Sequence, residues 1–368
     1  MSTKALTFSL IVLLTKYFTQ LIKAMEQFAE RLKSARKMKG WSLQELADHI
    51  DNSITKQSLN KYEQNTMKPS GNVLLALAKA LDVKPDYFLR TSVIELAAVE
   101  FRKKAKLSAK HADSIKEKVK DVLERYLEVE DLLQIKIKFI NPIKDVIIAD
   151  VEDVEGATLK LIKHWNLGFD PIPNVIEMLE DNAVRVIEMD APPEFDGLST
   201  FVGDIPVVVI NKNYTIERKR FTALHELGHL VLNIEEGADK EKICHAFAGA
   251  MLLPDDSLEK LLGDKRNNIA PGELVSIKEQ FGISVQAVMM RAFLKGIINK
   301  NTSDRFWKSM AGNKKELGLG TFAGKEKSYR FEHLIYRLAA EDVVSLSKAA
   351  NLAGMKLASL RDELDAII

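Results

Sequence analysis

The sequence predicts a mainly α chain with a small mixed sheet: an N-terminal all-α domain of five short helices, a central α+β domain, and C-terminal helices. Three observations carry this. Apolar residues recur at helical spacing over most of the chain. A Val-rich run at residues 205–210, flanked by Asp204 and Asn211, has the composition of a strand, and the proline-free stretch 217–232 sets two histidines four residues apart. The 368 residues are 46% hydrophobic and 29% charged, enough for two or three cores, which excludes disorder, collagen and a polytopic membrane protein. With 53 Lys+Arg against 52 Asp+Glu, any nucleic-acid contact must come from a local patch. One cysteine, Cys244, excludes an internal disulfide and suits a reducing, cytoplasmic location. It also leaves His and carboxylate groups as metal ligands.

The N-terminus is apolar from Ala5 to Leu14, and its uncharged run between Lys4 and Lys16 is shorter than the ~20 residues a spanning helix needs. Residues 1–24 are expected as an extension ahead of the first domain, with no membrane span. The alternatives are a membrane-surface or partner helix, and an export signal, for which no small-residue cleavage pattern is evident.

The first domain is expected over residues 25–92. Phe28, Leu32, Ala35 and Met38 mark one helix, closed by Gly40. Ser42 with Glu45 is a capping box that opens a second, carrying Leu43, Leu46, Ala47 and Ile50. Thr55 caps a third through Glu63, stopped by Asn65 and Pro69; Val73 to Leu81 form a fourth, and Pro85 starts a short fifth. Five short helices with the second and third tightly joined are helix-turn-helix architecture. The runs W-S-L-Q-E-L-A (41–47), S-L-N-K-Y-E (58–63), K-P-S (68–70) and L-A-K-A-L-D-V (77–83) resemble the lambda-repressor-like, or XRE, DNA-binding domain. The chain departs from it in a turn about two residues longer and in Asn65 at the usual glycine, a residue that tolerates the left-handed conformation.

In such a domain the third helix enters the major groove of double-stranded operator DNA. Lys56, Gln57 and Asn60 are then the base-edge candidates, Lys61 suits a phosphate or guanine, and Gln44 a phosphate; Thr55, which opens the helix, is counted with them. The bland alternative is a solvated polar face. Charge adds little, with 11 Lys+Arg against 8 Asp+Glu over residues 25–92.

Residues 93–165 are expected as a helical connector. Ile115, Val119, Val122 and Tyr126 form an apolar stripe, Gln134 to Ile140 alternates as a strand does, and Val154 to Trp165 is helical. The stripe suits core packing or a homodimer surface, and tandem half-sites make dimerisation an expectation.

The central domain, expected over residues 166–298, holds His225-Glu226-Leu227-Gly228-His229. On a helix, a spacing of four turns both imidazoles to one side, offset by about 40°, where they can hold one zinc ion (Zn2+). Glu226 sits one residue round, where its carboxylate reaches water at that ion and not the ion itself, the placement of a general base. A third ligand is needed, and Glu241, at the start of a helical stretch with Ile243, Phe247, Met251 and Leu252 inward, is the candidate. His245, one turn on, is a further ligand or a partner that orients Glu241. The Ile205 to Ile210 strand is read either as a partner for an extended substrate backbone or as a buried structural strand. Phe195 to Ser199 is read as a turn shaping the cleft.

These residues resemble the ImmA/IrrE-like metallopeptidases through F-D-G-L-S (195–199), I-P-V-V-V-I-N (205–211), R-F-T-A-L-H-E-L-G-H (220–229) and E-x-x-C-H-x-F-A-x-x-x-L-L-P (241–254). S-L-S-K-A-A-N-L-A-G-M-K-L-A-S-L-R-D-E-L (345–364) is similar to the family's C-terminal helices. The resemblance implies a zincin-like fold, His225, His229 and Glu241 as zinc ligands and Glu226 as catalytic base. It also implies a protein substrate of the repressor or antitoxin type, and family members are often fused to a helix-turn-helix domain. Here Ile243-Cys244-His245 stands where the family has Glu-Ala-Asn or similar residues, and Asn233 where a further His is common.

In the C-terminal region, helices are expected at 274–282 and 285–296, then a mobile Gly- and Lys-rich stretch from Asn299 to Lys327, then helices at 329–340 and 342–365; residues 299–368 are expected as a separate helical region. The functional expectation is a DNA-binding regulator fused to a zinc-dependent endopeptidase. Its rival is a non-catalytic DNA-binding repressor or antitoxin whose zinc site is structural or sensory.

Overall fold

The computed structural model describes residues 27–50, 53–90, 94, 96 and 107–366, so the N-terminal extension lies outside the described residues. Helix α1 (27–38) is followed by α2 (Leu43–His49), α3 (Lys56–Glu63), α4 (Gly71–Leu81), a 3-10 turn (Pro85–Leu89) and α5 (Ala109–Leu132). Next come β1 (Ile147–Ile148), α6 (Val154–His164), α7 (Val175–Asp181), β2 (Arg185–Met189), β3 (Gly197–Val202), β4 (Ile205–Asn211), α8 (Ile216–Val231) and β5 (Asn233–Ile234). Helices α9 (Lys240–Leu252), α10 (Asp255–Leu262), α11 (Pro271–Phe281), α12 (Val285–Leu294), α13 (Lys300–Met310), α14 (Arg330–Ala340), α15 (Leu346–Ala353) and α16 (Leu357–Asp365) complete the chain. The fold is mainly α with small sheets of two and three strands.

The chain divides into two units. Of the described residues, one unit holds 27–50, 53–90, 94, 107–129 and 338–366, and the other holds 96 and 130–337. In the first, α1 to α4 enclose a core of Leu32, Leu46, Leu59, Leu77, Leu81 and Phe88, each at most 1% exposed. Local chemistry sets the helix ends. Ser42 and Glu45 form the capping box, Thr55 accepts the Ser58 amide to start α3, and Asn65 takes φ +59°, the left-handed turn that ends it. Arg36 joins α1 to α3 by donating Nε and Nη2 to the Glu63 carboxylate at 2.6 and 2.7 Å. Arg31 pairs with Glu124 of α5 at 2.5 Å, and Arg125 donates to the Leu352 carbonyl of α15 at 2.9 Å.

In the second unit the three-stranded sheet has the order β2-β4-β3, with β4 parallel to β2 and antiparallel to β3. Helix α8 packs on β3 and β4, and α9 packs on α8. The expected strand at 205–210 is present, but it is the central strand. Both of its edges are taken, so β4 cannot pair with a substrate; among the described residues the open edge near α8 belongs to β3, whose first three residues, 197–199, fall in the segment read as a turn.

Three other local expectations change. Gln134 to Ile140 alternates as a strand does but pairs with no strand among the described residues, and leaves Ile137 and Ile140 exposed. The stretch after Asn299 contains α13, capped by the Asn299 side chain on the Thr302 amide, and its later part is tied down by buried carboxylates. Glu316 accepts from Lys278 and from the Val285 amide, and Glu326 from Arg220 and the Ile176 amide. The single helix expected at 342–365 is two, because Gly354 adopts φ +73° between α15 and α16.

Candidate metal centre and recognition helix

Helix α8 presents His225, Glu226 and His229, and α9 presents Glu241. Leu224, Leu227 and Val231 are buried. Phe221 is only half-buried, and its ring instead lies 5.8 Å from that of His245. His225 is fully buried and Glu226 is 2% exposed, whereas the His229 and Glu241 side chains are 24% and 49% exposed, so the cluster opens to solvent on one side.

The three expected ligands converge. His225 Nε2 and His229 Nε2 are 3.1 Å apart, His229 Nε2 is 3.4 Å from Glu241 Oε1, and His225 Nε2 is 3.6 Å from Glu241 Oε2. Taken with one donor atom per residue, the three lie within 4.8 Å of one another, close enough to converge on one ion. The donor set, two imidazoles and a carboxylate, suits a borderline metal. A divalent cation held there would supply positive charge near the buried Glu226 side chain.

Glu226 is held from outside its own helix. Ser199 Oγ of β3 donates to Glu226 Oε2 at 2.9 Å. The approach requires glycine at 197, where an added Cβ would stand 2.8 Å from Thr222 Cγ2 and from the Val209 carbonyl oxygen and 3.2 Å from Glu226 Cγ. Ser199 is not among the site residues that the sequence marks out. Its signal was the short F-D-G-L-S run, but the contact joins residues 27 apart and exists only once β3 lies against α8.

His245 is exposed; its Nδ1 meets the Glu241 carbonyl oxygen at 2.6 Å, and its ring centroid is 4.5 Å from that of His225. Among the described residues, the donor atoms that could share one ion are those of His225, His229 and Glu241.

In the other unit, Leu59 and Tyr62 of α3 are buried while Lys56, Gln57, Asn60 and Lys61 are exposed. Four of the expected DNA-contact residues thus share the outer face of this helix. Thr55 is also exposed, but its hydroxyl caps α3, and Gln44 on α2 donates to Asp48 at 2.9 Å.

Residues 32–88 match the helix-turn-helix family model, and residues 179–293 match the model of the IrrE N-terminal-like domain. Over 63 residues, 17% of the chain, the sequence is 40% identical to an SPbeta prophage-derived uncharacterized HTH-type transcriptional regulator, YonR, of Bacillus subtilis (strain 168). The match spans 56% of that relative's length. The chain thus combines a helix-turn-helix domain of the DNA-binding regulator type with an IrrE/ImmA-like peptidase domain.

Proposed function

We propose that the protein is a DNA-binding transcriptional regulator whose second unit is a zinc-dependent endopeptidase acting on a repressor or antitoxin-like protein. The observation that carries the peptidase reading is the cluster of His225, His229 and Glu241 donor atoms on the same helix pair as the buried, braced carboxylate of Glu226. Zinc held by these three residues would acidify water and polarise a peptide carbonyl. Glu226 takes the water proton on its carboxylate and returns it to the leaving amine nitrogen. Ser199, by donating to Oε2, holds the Glu226 carboxylate in one orientation. An extended substrate backbone can add to the open edge of β3, which delivers its carbonyl beside α8.

Zinc per chain, measured in protein purified without added metal, is the direct test. One equivalent is expected in the wild type and none in His229→Ala, whereas no zinc in either removes the metal reading. Glu226→Gln is expected to keep zinc, lose proteolysis and retain its substrate in a trapping experiment; undiminished cleavage by this variant rules out Glu226 as the base. Zinc retained with no cleavage and no trapped protein favours the structural or sensory reading.

The DNA reading rests on the polar outer face of α3. Gln57→Ala is expected to change the preferred operator sequence, and Lys61→Ala to weaken binding across sequences and reduce its salt dependence. An unchanged binding-site profile removes Gln57 from base readout.

A further inference from the structure

We infer that Cys244 is a positioning residue for the metal centre: its sulfur accepts the Nδ1–H of His229 and so fixes the tautomer whose Nε2 lone pair faces the ligand cluster. The inference rests on the metal reading above. The two ring nitrogens of His229 face different partners. Nε2 lies on the ligand side, 3.1 Å from His225 Nε2 and 3.4 Å from Glu241 Oε1, whereas Nδ1 lies 3.6 Å from Cys244 Sγ. A neutral imidazole that offers Nε2 to a cation carries its proton on Nδ1, so the sulfur is the acceptor.

The placement depends on packing between two helices. Cys244 follows Glu241 by three residues on α9, so the helix that supplies one ligand also braces another. Cys244 is fully buried and cannot swing away to solvent. At Gly228 an added Cβ would stand 3.2 Å from both Cys244 Sγ and Phe247 Cδ1; the missing side chain lets α9 come close enough for the sulfur to reach the neighbouring ring. Metal-bound histidines are commonly braced by a carboxylate, a backbone carbonyl or water. Sulfur is a weaker acceptor than these oxygens, yet it is the atom that the packing of the two helices sets against Nδ1.

The test is zinc affinity of the full-length chain, by competition with a chromophoric chelator, for wild type, Cys244→Ala and Cys244→Ser, with folding checked by circular dichroism. Cys244→Ala is expected to bind zinc about 10–100-fold more weakly, and Cys244→Ser to recover part of the loss because its hydroxyl also accepts. In the zinc-loaded wild type, a long-range proton–nitrogen NMR spectrum is expected to show the His229 proton on Nδ1, protected from exchange. Wild-type zinc affinity in a folded Cys244→Ala protein overturns the inference. Should that variant fail to fold, a His229 Nδ1 proton in the wild type that exchanges as fast as that of an exposed imidazole overturns it. Absence of zinc from the wild type refutes the metal reading itself, and the two failures are told apart without any variant.

Discussion

Glu180, on α7, is 3% exposed and accepts the Ser328 hydroxyl at 2.7 Å. Burial pushes its pKa up from 4.5 to about 7, against the opposing pull of the Ser328 hydrogen bond and Arg330. Because the folded pKa lies above the unfolded one, the folded state keeps the proton across this interval. Its contribution to stability is complete below pH 4.5 and is lost as pH rises to 7. Beyond that, ionisation costs about 3 kcal/mol. Glu180→Gln is therefore expected to unfold at a higher temperature than wild type at pH 8 and at a similar one at pH 4; equal differences at both values would contradict the assignment. At the same scale, Ser199→Ala is expected to keep zinc but lose about 10–100-fold in proteolysis, because Glu226 loses its brace. His225, Glu226 and His229 were legible in the sequence because one helical period links them, whereas Ser199 reaches Glu226 only through the packing of β3 against α8.

Between elements, charged groups inside the packing decide how helices are held. Arg36 donates to both Glu63 oxygens and, through Nη1, to the Trp41 carbonyl at 2.6 Å, which ties α1, α3 and the turn before α2 together. Arg36→Ala leaves the Glu63 carboxylate and a carbonyl short of donors and is expected to cost about 3 kcal/mol, read from urea unfolding. In the other unit, the fully buried Arg220 of α8 binds Glu326 at 2.8 Å and the Ile172 and Phe281 carbonyls, locking the start of the helix that carries the metal cluster. Burial of the pair was illegible in sequence because its members are 106 residues apart. The central place of β4 was hidden for a related reason. A Val-Val-Val-Ile run reports burial on both faces, but says nothing of which edges are paired.

At the scale of the molecule, residues 338–366 belong to the same unit as the helix-turn-helix domain. They bury Leu338, Ala350, Leu352 and Leu360, and Lys348 pairs with Glu128 at 2.5 Å. Ending the chain at residue 337 is accordingly expected to lower the thermal stability of that unit and weaken DNA binding, checked by melting and by titration with operator DNA. Metal removal is expected to act on the other unit. Chelation should lower its melting temperature, by an amount equivalent to about 3–4 kcal/mol where zinc had been 100–1,000 times its dissociation constant.

By itself, the sequence determined what short-range periodicity can encode. The caps of α2 and α3, the left-handed stop at Asn65, the buried stripe of α8 and the two histidines on one side of it all depend on residues within a few positions of each other. The tertiary structure alone decided the rest: which strand is the edge, what steadies Glu226 and His229, where the buried carboxylates Glu316 and Glu326 go, and which unit the C-terminal helices join. Each of these is a contact between distant segments, formed when apolar faces are buried and the polar groups carried in with them must find partners.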